Sequence, residues 1–457
     1  MSTRLIIDNT AIATVDDERK EYTTGHIVVQ DGVITAVGPG QAPTFSDDVP
    51  TERVNGDGCL ATPGLVNTHH HLYQWVTRGM AYDHSLFQWL TALYPVWGRL
   101  TAEWVSTAVR GGLGWLALTG CTSSADHHYV FPHGRTDDIT EAWISAARST
   151  GLRFHATRGS MDRGESLGGL PPDHLVETLD DALAATERTI DRYHDPSFGS
   201  MLKVDVAPCS PFSVSSELLE ESAELARRKE VRLHTHLCES LDEEEFCQTT
   251  HGCNPVEYME SVGWVGDDVW YAHAVHLSDE AVKLIGSTRT GVAHCPSSNA
   301  RLGTGMADTP RLREAGVPVG LGVDGAASQE SNMLVEELRQ AVYTARQVGG
   351  PTAMTCRQAL ELATIGGARV LGRYDEIGSL QVGKMGDIAL WRLDGLGHAD
   401  ILDPVAALVL GPPAPLKLLT VGGDPVVADG RLLTADEAEL AREARRVHLT
   451  IMNGGRS

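Results

Sequence analysis

Between about residue 61 and residue 370, short apolar runs alternate with longer amphipathic stretches, and nothing else in the 457-residue chain constrains its fold as strongly. Strand-length runs followed by helix-length patterns are the signature of βα units and a parallel sheet. Eight strands are named by their ends: Gly64–His69, Cys121–Asp126, Arg153–Arg158, Val204–Cys209, Val231–His236, Val269–His273, Gly291–His294 and Val317–Asp324. Stretches such as Ser216–Lys229 lie between them, with an apolar stripe of Leu218, Leu219, Ser222, Leu225 and Ala226. Eight such units close into an α/β fold, a (β/α)8 TIM-type barrel, whose working side chains gather at the C-terminal strand ends. The polar residues of this chain fall at those ends.

The flanks have a different texture. Leu5–Ile7, Ala11–Val15 and His26–Gln30 are short strands, followed by the turn pair Asp31-Gly32 and by Val33–Val37. The pattern returns at Asp387–Trp391 and Val426–Ala428, before a second turn pair, Asp429-Gly430. We therefore expect residues 1–60 and 371–457 to form one small β-sandwich domain built from both chain ends, with a terminal helix. The barrel is expected to span 61–370.

Composition narrows the function. The chain has 37 Lys+Arg against 61 Asp+Glu, a net charge of −24, which repels nucleic-acid phosphates and anionic membrane surfaces. No run approaches the ~18 apolar residues of a membrane span, and the N-terminus lacks the apolar core of a signal peptide. The eight cysteines show no C-x-x-C spacing and read as reduced, mostly buried residues of a cytoplasmic protein. A soluble homo-oligomer, in its simplest form a dimer, is expected.

Among the 19 histidines, several arrive two residues apart at strand ends. Alternate residues of a strand share a face, so His69 and His71 can grip one metal ion while His70 points away into a packing or supporting role. A second pair, His234 and His236, ends another strand and is followed by Glu239. Two further strands end at His273, with His276 beyond it, and at Asp324. Four such ends on one barrel rim point to a metal site. His127, His128 and His276 are left without a role.

Pro63–His71, His236-Leu237-Cys238-Glu239, His273, His294-Cys295-Pro296-Ser297-Ser298-Asn299 and Asp324 together resemble the motifs of the amidohydrolase superfamily, in its mononuclear zinc deaminase branch. Within that branch the resemblance is strongest to bacterial 8-oxoguanine deaminases, through Leu93–Trp97, Ala125–Tyr129, Ala207–Phe212 and Leu241–Cys247. The resemblance covers essentially the whole chain. It implies one divalent metal ion per chain, zinc before iron, held by His69, His71, His236 and Asp324. It makes Glu239 a proton shuttle and sets His273 beside the metal-bound water. Two-metal relatives carry a lysine at the end of strand four; here that strand ends Ala207-Pro208-Cys209-Ser210, which leaves a single metal.

Such a metal lowers the pKa of its water from about 15.7 toward about 7. Asp324 is placed to take the released proton, Glu239 to pass a proton to a ring nitrogen, and His273 to stabilise the developing oxyanion. The expected reaction is hydrolytic deamination of a free purine-like heterocycle, 8-oxoguanine to uric acid and ammonia. A pterin or s-triazine amino- or chlorohydrolase is the nearest alternative, and a catalytically silent interaction protein the remote one. For substrate contacts, Gln74 can both donate and accept, as guanine-type relatives use it, or serve only its own loop. Tyr94, Trp97 and Phe212 either sandwich the ring or pack the core, and Asn299 either fixes a loop or meets substrate. The acidic run Asp242–Glu245 reads as the first turn of a helix, where carboxylates favour the positive dipole end.

Overall fold

The computed structural model describes residues 2–454. Its centre is a barrel of eight parallel strands: β1 (Leu65–Asn67), β2 (Cys121–His128), β3 (Arg153–Ser160), β4 (Leu202–Pro208), β5 (Leu233–Leu237), β6 (Val269–His273), β7 (Gly291–His294) and β8 (Val319–Leu321). Each strand pairs with its sequence neighbour. Every residue of β2 and β3 is buried, because the barrel interior covers one face of each strand and the helices cover the other.

The seam between β1 and β8 positions the site. Thr68 N–H donates to Leu321 C=O at 2.9 Å and Asp324 N–H to His69 C=O at 3.1 Å. A short parallel ladder then pairs Asp324 with His70 and Gly325 with His71. The first and last histidine- and aspartate-bearing ends are thus zipped together by backbone.

The helices follow the expected stripe. In Ser216–Arg228 the side chains of Leu218, Leu219, Ser222, Leu225 and Ala226 are buried, and Ser215 caps the first turn by accepting from Leu218 N–H. Arg227 and Arg228 stand in its last turn, where the dipole favours cations.

Both chain ends build one mixed nine-stranded sheet. Ile388–Arg392 runs antiparallel to Cys59–Pro63, which joins the N-terminal strands to the C-terminal ones. The sheet has its own core, including Ile7, Ile27, Ile34, Ile388 and Leu390. Asp31-Gly32 and Asp429-Gly430 both adopt positive φ at both residues, as tight hairpin turns require. The terminal helix Glu437–Met452 lies on the barrel helix Ala102–Leu118, tied by Arg110–Glu443 at 3.0 Å, and His448 Nδ1 donates to Val76 C=O of the short helix Leu72–Thr77 at 2.9 Å. Among the described residues no helix is long and apolar enough to cross a membrane. All eight cysteines are free, seven of them buried.

The segment leading into the C-terminal strands meets the N-terminal end of the barrel through ion pairs. Arg153, the first residue of β3, donates to Asp387 from Nε at 2.7 Å and from Nη2 at 2.9 Å. Lys203 meets Glu376 at 3.1 Å. The opposite end of the barrel is left free for chemistry.

Candidate metal centre

His69, His71, His236, His273, Glu239 and Asp324 converge at the C-terminal end of the barrel, all buried. Hydrogen bonds decide where each imidazole carries its proton. A backbone carbonyl only accepts, so His71 Nδ1, 2.7 Å from His127 C=O, and His236 Nδ1, 2.7 Å from Cys209 C=O, are the protonated nitrogens. His69 reaches the same state through a relay. His234 donates from Nδ1 to Trp270 C=O at 3.0 Å, so its Nε2 accepts from His69 Nδ1 at 2.8 Å. All three Nε2 atoms therefore present lone pairs to one another and to Asp324.

The spacings are those of ligands around an ion. His71 Nε2 lies 3.0 Å from His236 Nε2, and Asp324 Oδ1 lies 3.2 Å from His69 Nε2 and 3.4 Å from His71 Nε2. Four donors about 2.05 Å from a tetrahedral zinc stand about 3.3 Å apart. Acceptor against acceptor at these distances is repulsive unless a cation lies between, and His69 Nε2 is a buried atom without a hydrogen-bond partner. Burial drives the His69 and His236 pKa values well below the ordinary imidazole range, which keeps both rings neutral and fit to ligate. The donor set fits one divalent metal ion.

His273 is set differently. The Asn299 side-chain amide donates to His273 Nδ1 at 3.1 Å, which puts the ring proton on Nε2. That N–H faces Glu239 Oε2 at 3.4 Å and Asp324 Oδ2 at 4.0 Å, so His273 is a donor beside the ligands. Burial pushes its pKa down to about 4. Burial first, then the charges of Asp324 and Glu243, raises Glu239 well above the usual carboxylate range. Asp324 Oδ2 accepts from Ser298 Oγ at 2.6 Å and Ser328 Oγ at 3.3 Å, which turns Oδ1 to the imidazoles.

Backbone strain gathers at the same place. Cys238, His273, Ala274 and Asp324 have φ of 55°, 75°, 50° and 64°, a region that non-glycine residues seldom occupy. Each follows or ends a barrel strand.

A cavity of ≈ 30 Å³ adjoins these residues. Tyr94 and Phe212, two of the expected substrate contacts, line it. Trp97 stands behind Tyr94, 6.0 Å ring to ring, and donates to Thr77 Oγ1 at 3.3 Å. Gln74 is buried in the short helix Leu72–Thr77 with Oε1 accepting from Ala327 N–H at 3.3 Å and Nε2 unpartnered. Asn299 touches His273 and Thr304. His70 donates to Asn332 Oδ1 at 2.8 Å, His128 to Val130 C=O at 3.2 Å and His276 to Thr304 C=O at 2.7 Å. His127 donates from Nε2 to Ala207 C=O at 2.7 Å and stacks on His236 with ring centroids 4.8 Å apart.

Sequence reasoning left out Leu86, Trp89, Leu90, Tyr129, Cys209, Leu302 and Ser328, which complete the cavity wall. The stripe Leu86, Trp89, Leu90, Leu93, Tyr94 and Trp97 was a readable signal, since its spacing gives helix Leu86–Trp97 one apolar face. Larger clefts lie elsewhere on the molecule. A cleft of ≈ 520 Å³ between Ala102–Leu118 and the terminal helix, and an acidic one of ≈ 790 Å³ beside Thr136–Arg148, hold no convergent imidazoles.

The sequence profile of the Amidohydrolase family matches residues 60–432, which include every ligand candidate. The chain belongs to the amidohydrolase family. It is a hydrolase of carbon–nitrogen bonds, on the barrel typical of amidohydrolases. Among its relatives, 8-oxoguanine deaminase of Pseudomonas aeruginosa is 43% identical over 94% of this chain and 95% of that one. Isoxanthopterin deaminase from an unknown prokaryotic organism is 37% identical over 86% of each. Among solved structures, atrazine chlorohydrolase from Arthrobacter aurescens TC1 complexed with zinc superposes with a TM-score of 0.91 at 32% identity, covering 97% of this amidohydrolase and 100% of that chain.

Proposed function

We propose that this amidohydrolase deaminates a free, uncharged purine-like base, with 8-oxoguanine as substrate and uric acid and ammonia as products. One observation carries the reading: the Glu239 carboxyl and the Nε2–H of His273 face the same small space as the imidazole lone pairs of His71 and His236, and among the described residues that space has no lysine or arginine in its wall. A phosphate or carboxylate on the substrate would find no partner there, whereas the apolar faces of Tyr94, Phe212, Trp89 and Leu90 suit a planar ring. The 43% identity to an 8-oxoguanine deaminase supports this choice of ring.

His69, His71, His236 and Asp324 would hold the metal, for which we propose zinc. When bound, it supplies Lewis-acid activation of water near neutral pH. Glu239 delivers a proton to the ring nitrogen next to the amino-bearing carbon as water adds there. His273, from Nε2–H, donates to the oxygen of the tetrahedral centre. Asp324, held by Ser298 and Ser328, takes a proton from the attacking water. Asp324 returns its proton to the amino group, ammonia leaves, and Glu239 takes the proton of the added oxygen as the ring carbonyl forms. The balance is ring amine plus water to ring carbonyl plus ammonia.

An ammonia-release assay over 8-oxoguanine, guanine, isoxanthopterin, cytosine and aminotriazines tests the reading. Turnover is expected to be fastest on 8-oxoguanine. No ammonia from 8-oxoguanine, beside brisk turnover of isoxanthopterin or a triazine, would replace the substrate.

A further inference from the structure

We infer that Glu243 is a positioning residue for Glu239: its buried carboxylate holds the turn that presents the Glu239 side chain to the cavity. The inference rests on the proton-carrying role proposed for Glu239.

Glu243 belongs to the acidic run Asp242–Glu245, at the start of helix Leu241–His251. Asp242 and Glu245 are exposed and Glu244 half-buried, as solvated carboxylates at a helix start should be. Glu243 is 1% exposed. A carboxylate at the third helical position ordinarily reaches back to the N–H of the capping residue. Here it reaches past Ser240: Oε1 accepts from Cys238 N–H at 2.9 Å and Oε2 from Glu239 N–H at 3.3 Å.

Those two N–H groups have left the sheet. β5 ends at Leu237, and the left-handed φ of 55° at Cys238 swings the chain away from the ladder. From the other side, Cys238 C=O accepts from Val275 N–H at 2.9 Å and His276 N–H at 3.0 Å, just beyond β6. The turn is therefore clamped between Glu243 and the strand end that carries His273. Glu239 Oε2 and His273 Nε2 meet at 3.4 Å as a result. A buried carboxylate persists only where hydrogen bonds offset its desolvation. Among the described residues Glu243 has no cationic partner, so the two amide donors of this turn account for its place.

Without the clamp the strained turn relaxes, and proton transfer, which needs Glu239 within hydrogen-bond reach of the ring, suffers before ring binding on the apolar walls does. Glu243→Gln keeps one carbonyl acceptor and sets an amide N–H against the second backbone N–H. Its kcat is expected to fall about 10- to 100-fold, with KM, zinc per chain and melting temperature near those of the unchanged protein. Glu245→Gln removes the same charge from the exposed side of the helix and should leave kcat unchanged. Glu243→Asp, too short to span both N–H groups, should fall between and carries the test if the glutamine variant does not fold. A kcat within about twofold of the unchanged protein for Glu243→Gln would overturn the inference. So would a loss matched by lost zinc or a lower melting temperature, which marks a scaffold role. Glu239→Gln assayed alongside separates the two readings. If it is inactive while Glu243→Gln is fully active, only the clamp falls; if it is active, the proton carrier itself falls.

Discussion

Arg153 and His69 are both fully buried in one barrel, the first at the N-terminal end of its strand and the second past the C-terminal end of another. Their surroundings are built on opposite rules. Arg153 faces Asp387 in a bidentate pair, and nearby Lys203 meets Glu376, so donor meets acceptor in both. His69 Nε2 faces a carboxylate oxygen at 3.2 Å, and the His71 and His236 lone pairs face each other at 3.0 Å. The Arg153 pair is complete as built; the imidazole cluster is complete only around a cation. Burial of polar groups alone thus does not separate scaffold from site. Complementarity does.

The comparison breaks first if the two ends can be exchanged in their effects. Glu239→Gln, at the C-terminal end, is expected to lower turnover on the order of 10²- to 10⁴-fold, or about 3–5 kcal/mol at the transition state. Zinc content by atomic absorption and the urea midpoint should not move. Full turnover in this variant would sink the assignment of the proton carrier. Asp387→Ala, at the other end, leaves the Arg153 guanidinium buried without its partner and should cost about 3–5 kcal/mol of stability. Urea unfolding measures that loss, while kcat per folded chain should hold. A drop in kcat without a drop in stability would mean that the two ends are not independent.

How much of this was legible in the sequence follows from how local each signal is. The His69–His71 pair was readable because strand parity decides it within three residues, and Asp324 because it closes a recognisable apolar run. The Asp-Gly turns were readable for the same reason, and both adopt the expected positive φ. The proton positions on the imidazoles were not readable. They depend on the carbonyls of His127, Cys209 and Trp270, which neighbouring strands supply. Nor could sequence tell Glu243 from Glu244, since only the roll of one helix against one turn buries the former. Gln74 meets Ala327 and Trp97 meets Thr77, partners that only the folded chain brings near.

A smaller effect sharpens the claim that the imidazole cluster is complete only with a cation. A ligand that binds the folded state alone stabilises it by about 2.7 kcal/mol at a concentration 100 times its dissociation constant. Zinc added to chelator-treated protein should therefore raise the melting temperature, and Asp324→Asn should lose most of that gain along with turnover. The same titration on Asp387→Ala should give the full gain on a lower baseline. No rise in the unchanged protein would count against the metal-ligand reading.

The smallest expected effect concerns how the cavity is reached. A space of ≈ 30 Å³ admits about one water molecule and no purine, so a wall must move for every turnover. Helix Leu86–Trp97 supplies Leu86, Trp89, Leu90 and Tyr94 to that wall, and Trp89 Nε1–H donates to Ala327 C=O at 3.1 Å, in the loop that follows Asp324. This bond ties the wall to the ligand-bearing loop. Trp89→Phe keeps an aromatic face and removes the donor, a loss of about 0.5–1.5 kcal/mol, which favours the open form about two- to tenfold. Because only the open form admits a purine, KM should fall by up to that factor, while zinc content stays unchanged. An unaltered KM would show that the helix does not open at Trp89, and a loss of zinc would show that the tie supports the ligands themselves.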